Sequence, residues 1–579
     1  MNRKLVWLIL AGIVILAAVL RLWMLGHVPP SPDWDEVALG YDAYSIIHTG
    51  RDEFGKFLPV VLRSFDDYKP ALYAYLAIPT VFIFGLNVFA VRLPSAIFGT
   101  LAVLATYFLV KELFSVSKTE KVGLKAGEEE EKGTLFTKYK VLNIDLLALL
   151  SAGFMAISPW SIQFSRVGFE ANTGDAFNIF TALFFIKGLK NRWMLFLSAF
   201  FAGLDIYVYQ SEKVFTPLLV LALALIYRKQ LFSIPKKYIV SVVIFGLIVV
   251  TPMVVFILTN RAALLRVTGT SVFSHQTVLL SNDIPKLQRD IANHDILGLI
   301  VDNRRITYAK AIISGYIVHF DPNWLFVTGD ISRHHAPNMG LIYLFELPLI
   351  LLGIYMLLFG PFDRKTKLTV FGWMLLAPVP ASITSGVPHA VRTLNFLPTW
   401  QILSALGLIS GYLLIKQYKV SGIKYLAYFK PVLYTLFILL ATLNFIYYLD
   451  QYFVQLNYYT SQDWQYGYQQ AVEEAKLVGN NYKEIRVSDN QPMDKSYMFF
   501  LFYLKYPPAL YQKVGETSSG GFASHHSFGK YVFKPINWAQ ESKQKGILFI
   551  GTPQEIPQSA ASKTIYNLNG TPAIRIAGT

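Results

Sequence analysis

The apolar runs of this 579-residue chain constrain its fold more than any other feature. Twelve such runs alternate with polar segments, and many are close to the roughly 20 residues that an α-helix needs to cross a bilayer. They cover residues 5–25, 71–86, 92–114, 141–163, 173–189, 193–209, 214–227, 238–258, 339–360, 368–385, 393–415 and 431–449. With 54% hydrophobic residues, 15% charged residues and a mean hydropathy of +0.41, the chain is too apolar for a soluble protein. The sequence therefore predicts an all-α polytopic membrane protein.

The charge distribution and the absence of cysteine argue against a nucleic-acid-binding protein and a disulfide-bonded protein. The net charge of +15 is typical of nucleic-acid-binding proteins, but here the lysines and arginines cluster between apolar runs, as they do in cytoplasmic loops. We therefore expect membrane lipids and no nucleic acid as partners. The chain has no cysteine, which excludes a disulfide framework and a thiolate metal site.

The positive-inside rule gives a predicted topology. The run at 5–25 lacks a small-residue cleavage site, so we expect an uncleaved first span with a cytoplasmic N-terminus. If the short run at 71–86 lies on the outer face without crossing, 23 lysines and arginines fall in cytoplasmic segments and three in the short outer loops. If it crosses, this asymmetry inverts. We therefore predict about 11 transmembrane helices in a cell (plasma) membrane, with juxtamembrane helices on the outer face.

The same topology predicts two domains. Residues 1–450 form the transmembrane domain, with outer loops at 26–91, 159–172 and 259–338. Residues 451–579 are less apolar and show strand patterns at 484–488, 531–535 and 546–551, which predicts a small extracytoplasmic α/β domain. The charged segment 115–140 is predicted to be a cytoplasmic linker.

Asp35 and Glu36 form an acid pair just after the first span. A solvated pair of loop acids is the simplest interpretation. However, Trp34 and the amphipathic stretch 37–47 would hold this pair at the membrane surface. A carboxylate in a low-dielectric cleft there could act as a general base.

Lys69 and Pro70 precede the run at 71–86. Pro70 fits the first position of a helix. Lys69 is either a lysine that extends to the interface or a phosphate ligand at a helix N-terminus, and both interpretations remain open.

Further charged residues lie in the later outer loops. Arg166 and Glu170 are four residues apart, which fits either a mutual ion pair on one helix or a second carboxylate that faces the same cleft as Asp35. Near the tenth run, Arg392 and His389 could bind phosphate oxygens. Three more cations with the same predicted role are Arg261, Arg266 and Arg166. The pair His334-His335 and His294 lack a third metal ligand at a suitable spacing, so we interpret them as solvated loop residues.

The order of these elements resembles a known superfamily. An acid pair after the first span, Lys69-Pro70, Ala90-Val-Arg-Leu-Pro-Ser95, Phe164-Ser-Arg-x-x-x-Glu170 and His389-Ala-Val-Arg392 follow one another. This order resembles the integral-membrane glycosyltransferases of the GT-C superfamily, especially the bacterial relatives of protein O-mannosyltransferases and the lipid A aminoarabinose transferases (glycosyltransferase families 39 and 83). The resemblance covers roughly residues 1–450.

The resemblance implies a GT-C fold and a polyprenyl-phosphate-linked sugar as donor. It also implies that Asp35, Glu36 and Glu170 are catalytic. Lys69 would bind the donor phosphate, as its counterpart does in relatives. Tyr68 stands where the aminoarabinose transferases have an acid. No cofactor is certain, and a divalent cation is possible.

The predicted activity is an inverting transfer of the sugar to an acceptor hydroxyl on a protein, a lipid or a cell-surface glycan. A polyprenyl-lipid transporter or flippase and a non-catalytic membrane assembly protein are the alternatives. Transporters typically show internal repeats and charges at mid-membrane, whereas the charges here lie in outer loops.

Overall fold

Helices dominate the computed structural model, which describes residues 1–65, 67–115, 143–260, 269–274, 278–281, 283–417, 425–514 and 526–579. Up to residue 450 the α-helices are Arg3–Leu22, Trp34–Thr49, Leu72–Phe84, Val88–Ser115, Ile144–Ile157, Pro159–Ser165, Glu170–Gly188, Met194–Asp205, Glu212–Ile226, Arg228–Ser233, Lys236–Thr259, Asp283–Ala292, Ile296–Val301, Arg304–Ile317, Glu346–Phe359, Arg364–Leu376, Val379–Ser382, Thr399–Gln417 and Tyr425–Asp450. The linker predicted at 115–140 lies almost entirely outside the described residues.

Several of these helices can cross a membrane. Within the described ranges, five helical segments are long and apolar enough, and six are if the bent pair Ile144–Ile157 and Pro159–Ser165 counts as one span. These are the helices of a multi-pass membrane protein. Other predicted runs form shorter helices, so the count of eleven spans stays a prediction.

The segment predicted not to cross forms the helix Leu72–Phe84, which has 13 residues and contains Pro79. At about 1.5 Å per residue this helix is shorter than the hydrocarbon core of a bilayer, as a non-crossing segment should be. The expectation that Pro70 opens this helix was wrong. Pro70 instead ends the strand β2 (Asp67–Pro70), which pairs with β1 (Val61–Ser64), and Ala71 is the N-cap of the helix.

Contacts between residues divide the chain into two compact units. The first unit comprises Met1–Leu20, Phe98–Phe164 and Ala171–Tyr448, and the second comprises Arg21–Ile97, Ser165–Glu170 and Leu449–Thr579. The predicted outer loop 26–91 therefore belongs to the same compact unit as the C-terminal residues.

Small residues set the closest helix packing in the first unit. The helices Glu346–Phe359 and Thr399–Gln417 approach so closely that a Cβ atom on Gly353 would collide with the carbonyl oxygen of Leu403. A Cβ atom on Gly407 would likewise collide with the carbonyl oxygen of Leu349. Small residues at helix interfaces permit this approach in membranes, where helix association depends on packing and interhelical hydrogen bonds.

The second unit contains a mixed β-sheet. Its strands are β3 (Glu484–Val487), β4 (His526–Phe528), β5 (Tyr531–Phe533), β6 (Ile547–Gly551), β7 (Lys563–Tyr566) and β8 (Pro572–Gly578), in the order β4-β5-β3-β6-β8-β7. The three strands predicted from sequence form the parallel centre, with Ile485 opposite both Tyr531 and Leu548. The antiparallel strands at the two edges were not predicted. The helices after residue 450 are Leu456–Thr460, Tyr468–Val478, Ser496–Leu504, Pro508–Val514 and Trp538–Glu541.

The first loop and the C-terminal residues share one hydrophobic core. Val37 and Tyr41, from the helix Trp34–Thr49, are buried in the same cluster as Phe500 and Phe533. The Tyr41 hydroxyl also donates a 2.9 Å hydrogen bond to the carbonyl oxygen of Tyr506. The helix that begins at the predicted acid pair is thus packed against the C-terminal residues.

Candidate active site

A capping box fixes the start of the helix Trp34–Thr49. Asp33 is the N-cap, and its Oδ1 accepts a 2.9 Å hydrogen bond from the backbone N–H of Asp35. Glu36 completes the box, because its Oε2 accepts a 2.9 Å bond from the backbone N–H of Asp33. The sequence Asp-Trp-Asp-Glu therefore orients the acid pair through local hydrogen bonds.

Glu36 is the more constrained acid of the pair. Its side chain is 1% exposed. Arg92 binds it bidentately, with Nε donating to Oε1 at 2.8 Å and Nη2 to Oε2 at 3.0 Å. The backbone N–H of Gly168 donates to Oε1 at 2.7 Å. These partners hold the Glu36 carboxylate, so its contacts are those of a positioning residue.

Arg92 ties the preceding loop to the same point. Its Nη1 donates to the carbonyl oxygens of Leu25 at 3.1 Å and Pro29 at 3.0 Å. Its Nη2 also donates to the carbonyl oxygen of Ser31 at 2.8 Å. The Arg92 guanidinium lies 6.0 Å from the ring of Trp464, and Arg92 is fully buried. In the sequence, Arg92 stands within the motif Ala90–Ser95 and has no predicted role. The role could not be predicted because its partner Glu36 lies 56 residues away.

Asp35 faces a different partner. It forms an ion pair with Lys69, in which the Asp35 side chain is 31% exposed and the Lys69 side chain 7%. Lys69 lies on the hairpin of β1 (Val61–Ser64) and β2 (Asp67–Pro70), opposite Leu62. Its Nζ is 5.1 Å from the ring of Phe65. A partly exposed carboxylate paired with a buried lysine is an arrangement that can exchange its partner for a substrate.

Three further acids lie close to Lys69. Asp42 and Glu53 are buried, and burial raises the pKa of each well above its ordinary value. Asp52 contributes to both increases through its negative charge, and the charge of Lys69 opposes them. Asp42 Oδ1 accepts the backbone N–H of Glu53 at 3.0 Å, but Asp42 Oδ2 and both Glu53 carboxylate oxygens have no partner among the described residues.

Arg166 and Glu170 do not share a helical face. Arg166 follows the helix Pro159–Ser165 in a loop, and Glu170 begins the next helix. Arg166 is fully buried, donates to the carbonyl oxygen of Val28 at 2.9 Å and lies 4.8 Å from the ring of Phe453. Those contacts are typical of an arginine that holds loops together.

Glu170 lies in the same unit as the acid pair. It is 5% exposed. Burial raises the pKa of Tyr73 in the adjacent short helix, and the negative charges of Glu36 and Glu170 add to that increase. Asp35, Glu36, Lys69, Arg166 and Glu170 thus all belong to the second unit.

Arg392 lines a small cavity in the first unit. The cavity has a volume of about 180 Å³, and Lys213 also lines it. Arg392 Nη1 donates to Thr384 Oγ1 at 2.6 Å and to the carbonyl oxygen of Ser385 at 2.7 Å, while Lys213 Nζ donates to Gln210 Oε1 at 2.7 Å. Two cations face the cavity, and none of the described residues that line it is acidic. Nothing in the sequence places Lys213 in a site, because it is one of the three cations of the short outer loops.

His389 lies beside two other histidines. Its ring centroid is 5.1 Å from that of His334, and its backbone N–H donates to His319 Nε2 at 3.2 Å. Burial lowers the pKa of His389 well below its ordinary value, and the charge of Arg392 adds to that effect. His389 is therefore a neutral group at neutral pH, not a further cation.

The remaining predicted residues have different outcomes. Arg261 and Arg266 lie outside the described residues. His334 is 5% exposed, so the interpretation of this histidine as solvated was wrong. Its Nδ1 is 2.8 Å from Asp330 Oδ2. His335 Nδ1 contacts the carbonyl oxygens of Ala336 and Met339.

Comparisons with known proteins establish the fold. No protein-family model and no curated protein matches the chain. Among solved structures, ArnT from Cupriavidus metallidurans bound to undecaprenyl phosphate is similar, with a TM-score of 0.52, 11% sequence identity and coverage of 100% of this chain and 98% of that chain. The chain has the GT-C fold. The apo state of the same protein gives a TM-score of 0.52, 11% identity and coverage of 99% and 97%.

A third similar structure is more distant. It is the archaeal oligosaccharyltransferase AglB from Archaeoglobus fulgidus in complex with an inhibitory peptide and a dolichol-phosphate. Its TM-score is 0.47, its identity is 12%, and the alignment covers 87% of this chain and 64% of that chain. The similarity to ArnT confirms the GT-C fold predicted from the order of sequence elements.

Proposed function

We propose that this chain transfers a sugar from a polyprenyl-phosphate-linked donor to an acceptor hydroxyl at the outer face of a membrane, with inversion at the anomeric carbon. The observation that carries the proposal is the pairing of the partly exposed Asp35 with the buried Lys69 at a capped helix start. The GT-C fold supports it, since ArnT, with which this chain aligns over its full length, was crystallised with undecaprenyl phosphate.

Asp35 is the proposed general base. In the transferase reaction it would accept the proton of the acceptor hydroxyl while the acceptor oxygen bonds to the anomeric carbon. A carboxylate is suited to this role if it is accessible and its position is fixed. Asp35 meets both conditions, because its side chain is 31% exposed and its backbone N–H is held by Asp33.

Lys69 is the proposed ligand of the leaving group. As the new glycosidic bond forms, the bond between the anomeric carbon and the phosphate oxygen breaks, and its electron pair remains on the lipid phosphate. This phosphate is a stable anion, so it needs a cation more than a proton. A lysine ammonium that is 7% exposed supplies such a charge where water screens it little.

Glu36 and Glu170 take supporting roles in this proposal. Glu36 binds Arg92, Gly168 and the helix N-cap, so it would position Asp35 without contacting substrate. Glu170 is buried near Glu36 and Tyr73, and we propose that it shapes the electrostatics around the acid pair.

The cavity at Arg392 and Lys213 is a second proposed binding site. Two cations with no acid among the described lining residues favour an anionic group such as a phosphate. The phosphate would come from a lipid-linked sugar or from a phospholipid. Binding of each lipid would be compared between the natural chain and an Arg392→Gln variant. The lipid whose binding the substitution weakens is the source of the phosphate.

A transfer assay with membranes tests the function. Membranes that contain the chain would be incubated with a radiolabelled polyprenyl-phosphate sugar and a mixture of cell-envelope acceptors. We expect transfer by the natural chain and none above background by Asp35→Asn, with donor binding retained. Asp295→Asn is the matched control, because Asp295 is also an aspartate at a helix start, it is exposed, and asparagine caps a helix equally well.

Each outcome separates the alternatives. If Asp35→Asn retains most of the transfer activity, Asp35 is not the base and the mechanism is wrong. Movement of the donor lipid between leaflets without transfer would favour a flippase. A chain that neither transfers nor moves the lipid would fit a non-catalytic assembly protein. Mass spectrometry of the modified product would identify the acceptor as a protein, lipid or glycan.

A further inference from the structure

Two distant segments of the first unit bring metal-ligating side chains together. Asp330 and His334 lie four residues apart in one segment, and His389 belongs to another, 55 residues later. One potential ligand atom from each residue lies within 4.8 Å of the other two. Ligand atoms bound to one tetrahedral Zn²⁺ are about 3.3 Å apart, given bonds of about 2.0–2.1 Å, so small side-chain rotations would close the site.

Each of the three residues has a contact outside the cluster. Asp330 Oδ2 accepts the backbone N–H of Ala390 at 2.6 Å. The backbone N–H of His389 donates to His319 Nε2, while His319 Nδ1 is 2.6 Å from the carbonyl oxygen of Gly315. The ring of His334 packs 5.6 Å from the ring of Phe164. Such outer contacts are typical of metal sites, where they orient the ligands.

An unsatisfied atom points to a ligand. His389 Nδ1 is buried and has no hydrogen-bond partner among the described residues. Leaving a buried polar nitrogen without a hydrogen-bond partner costs free energy. We therefore expect a bound group to provide that partner. A bound cation would supply that partner.

We propose that Asp330, His334 and His389 bind one divalent transition-metal ion, with Zn²⁺ as the best match to two imidazole nitrogens and one carboxylate oxygen. Imidazole is a common ligand of Zn²⁺, whereas Mg²⁺ and Ca²⁺ prefer oxygen ligands. Three protein ligands leave a coordination position for water or for an anionic oxygen. Because Arg392 follows His389 by three residues, the ion would also order the segment that carries Arg392. This inference does not depend on sugar transfer.

Metal binding to the purified full-length chain tests the inference. The protein, with any affinity tag removed, would be stripped with a chelator and titrated with Zn²⁺ or with Co²⁺ as a spectroscopic probe. We expect one ion per chain, a visible spectrum of low-symmetry Co²⁺, and a Zn²⁺-dependent rise in thermal stability.

Substitutions then locate the site. We expect His334→Ala, His389→Ala and Asp330→Asn each to weaken Zn²⁺ affinity at least tenfold. The asparagine can still accept the Ala390 hydrogen bond, so Asp330→Asn keeps the test valid if an alanine variant fails to fold. His335→Ala is the matched control, because its ring contacts only backbone oxygens of Ala336 and Met339 in the described hydrogen bonds, and it should bind Zn²⁺ as the natural chain does. Absence of stoichiometric binding, or binding that all three variants retain, would overturn the proposal and leave Asp330 and His334 as a hydrogen-bonded pair.

Discussion

Asp35 and Glu36 are adjacent in sequence, but their carboxylates have different surroundings. Successive residues in a helix point about 100° apart, so only one of the two can face the hairpin that carries Lys69. Asp35 takes that direction and is 31% exposed, whereas Glu36 points to Arg92 and is 1% exposed. This difference supports the proposed division into a base and a positioning residue.

Removing the Glu36 charge should destabilise the protein more than removing the Asp35 charge. Glu36→Gln would leave the buried guanidinium of Arg92 without its charged partner, and breaking a buried ion pair costs about 3–5 kcal/mol. We expect a clear drop in the thermal unfolding temperature of the detergent-purified protein for Glu36→Gln and a smaller drop for Asp35→Asn. Equal unfolding temperatures for the two variants would contradict the separate roles.

The buried acids near Lys69 predict a pH dependence of stability. Because burial raises the pKa of Glu53, the folded chain keeps a proton that the unfolded chain releases once the pH exceeds the ordinary pKa of glutamate. Stability therefore falls as pH rises between the ordinary and the raised pKa, by at most about 1.4 kcal/mol per pH unit for one group. Glu53→Gln removes this loss of stability, because glutamine has no carboxyl group to titrate.

Unfolding temperatures of the natural chain and of Glu53→Gln at about pH 5 and about pH 8 check this prediction. We expect the variant to gain stability relative to the natural chain as pH rises. Glu473→Gln, a change on the helix Tyr468–Val478, serves as the control and should follow the natural chain at both values. A relative gain at the lower pH would show that the sign is wrong.

At the scale of elements, support for the acid pair comes from neighbours distant in sequence. Gln512 Nε2 reaches Ser45 Oγ at 3.0 Å, Thr49 Oγ1 at 3.0 Å and the carbonyl oxygen of Asp52 at 2.9 Å. The helix Pro508–Val514 thus holds the far end of the helix that Asp33 caps at its start. In the second unit, a C-terminal helix is therefore hydrogen-bonded to the helix on which the acid pair lies.

The helix pair in the first unit predicts a packing effect. Gly407→Ala places a methyl group against the carbonyl oxygen of Leu349, so the helices must separate or shift, at a cost of about 1–3 kcal/mol. We expect a lower unfolding temperature. Gly411→Ala on the same helix is the control, since its Cβ would lie 3.5 Å from Leu352 Cδ2, an ordinary contact. If both variants unfold at the same temperature, the close approach is not required.

At the scale of the whole molecule, the predicted membrane topology depends on how lysines and arginines are distributed among the loops. The short run at 71–86 decides whether the chain crosses the membrane eleven or twelve times, and its helix of 13 residues supports eleven. An odd number of crossings would place the first loop and the C-terminal sheet on the same side. They also share one hydrophobic core.

Cysteine labelling tests that topology, because the chain contains no cysteine and each introduced thiol is unique. We expect Phe57→Cys and Leu568→Cys, which replace exposed side chains, to react with a membrane-impermeant maleimide in intact cells that express the chain. Asn191→Cys, in a predicted cytoplasmic loop, should react only after permeabilisation. Labelling of Phe57→Cys without Leu568→Cys in intact cells would mean that 71–86 crosses.

Part of the candidate site has local signals in the sequence. Asp33 and Glu36 have the spacing of a capping box, and the acid pair, Lys69 and Arg392 follow an ordered pattern. By contrast, the partners of Glu36 and the neighbours of His389 could not be predicted, because Arg92, Gly168, Asp330 and His334 reach them from distant segments. Pro70 was misplaced in a helix because the propensity of proline for a helix start is equally compatible with the end of a strand.

The sequence alone determined the membrane class, the three central strands of the sheet and the order of motifs typical of the GT-C fold. These follow from hydrophobic period and strand pattern, both of which act over a few residues. Only the tertiary structure decided that Glu36 is bound by Arg92 while Asp35 pairs with Lys69, and that Asp330, His334 and His389 meet. Burial and contact between distant segments set these relationships, and they leave no periodic signal in the chain.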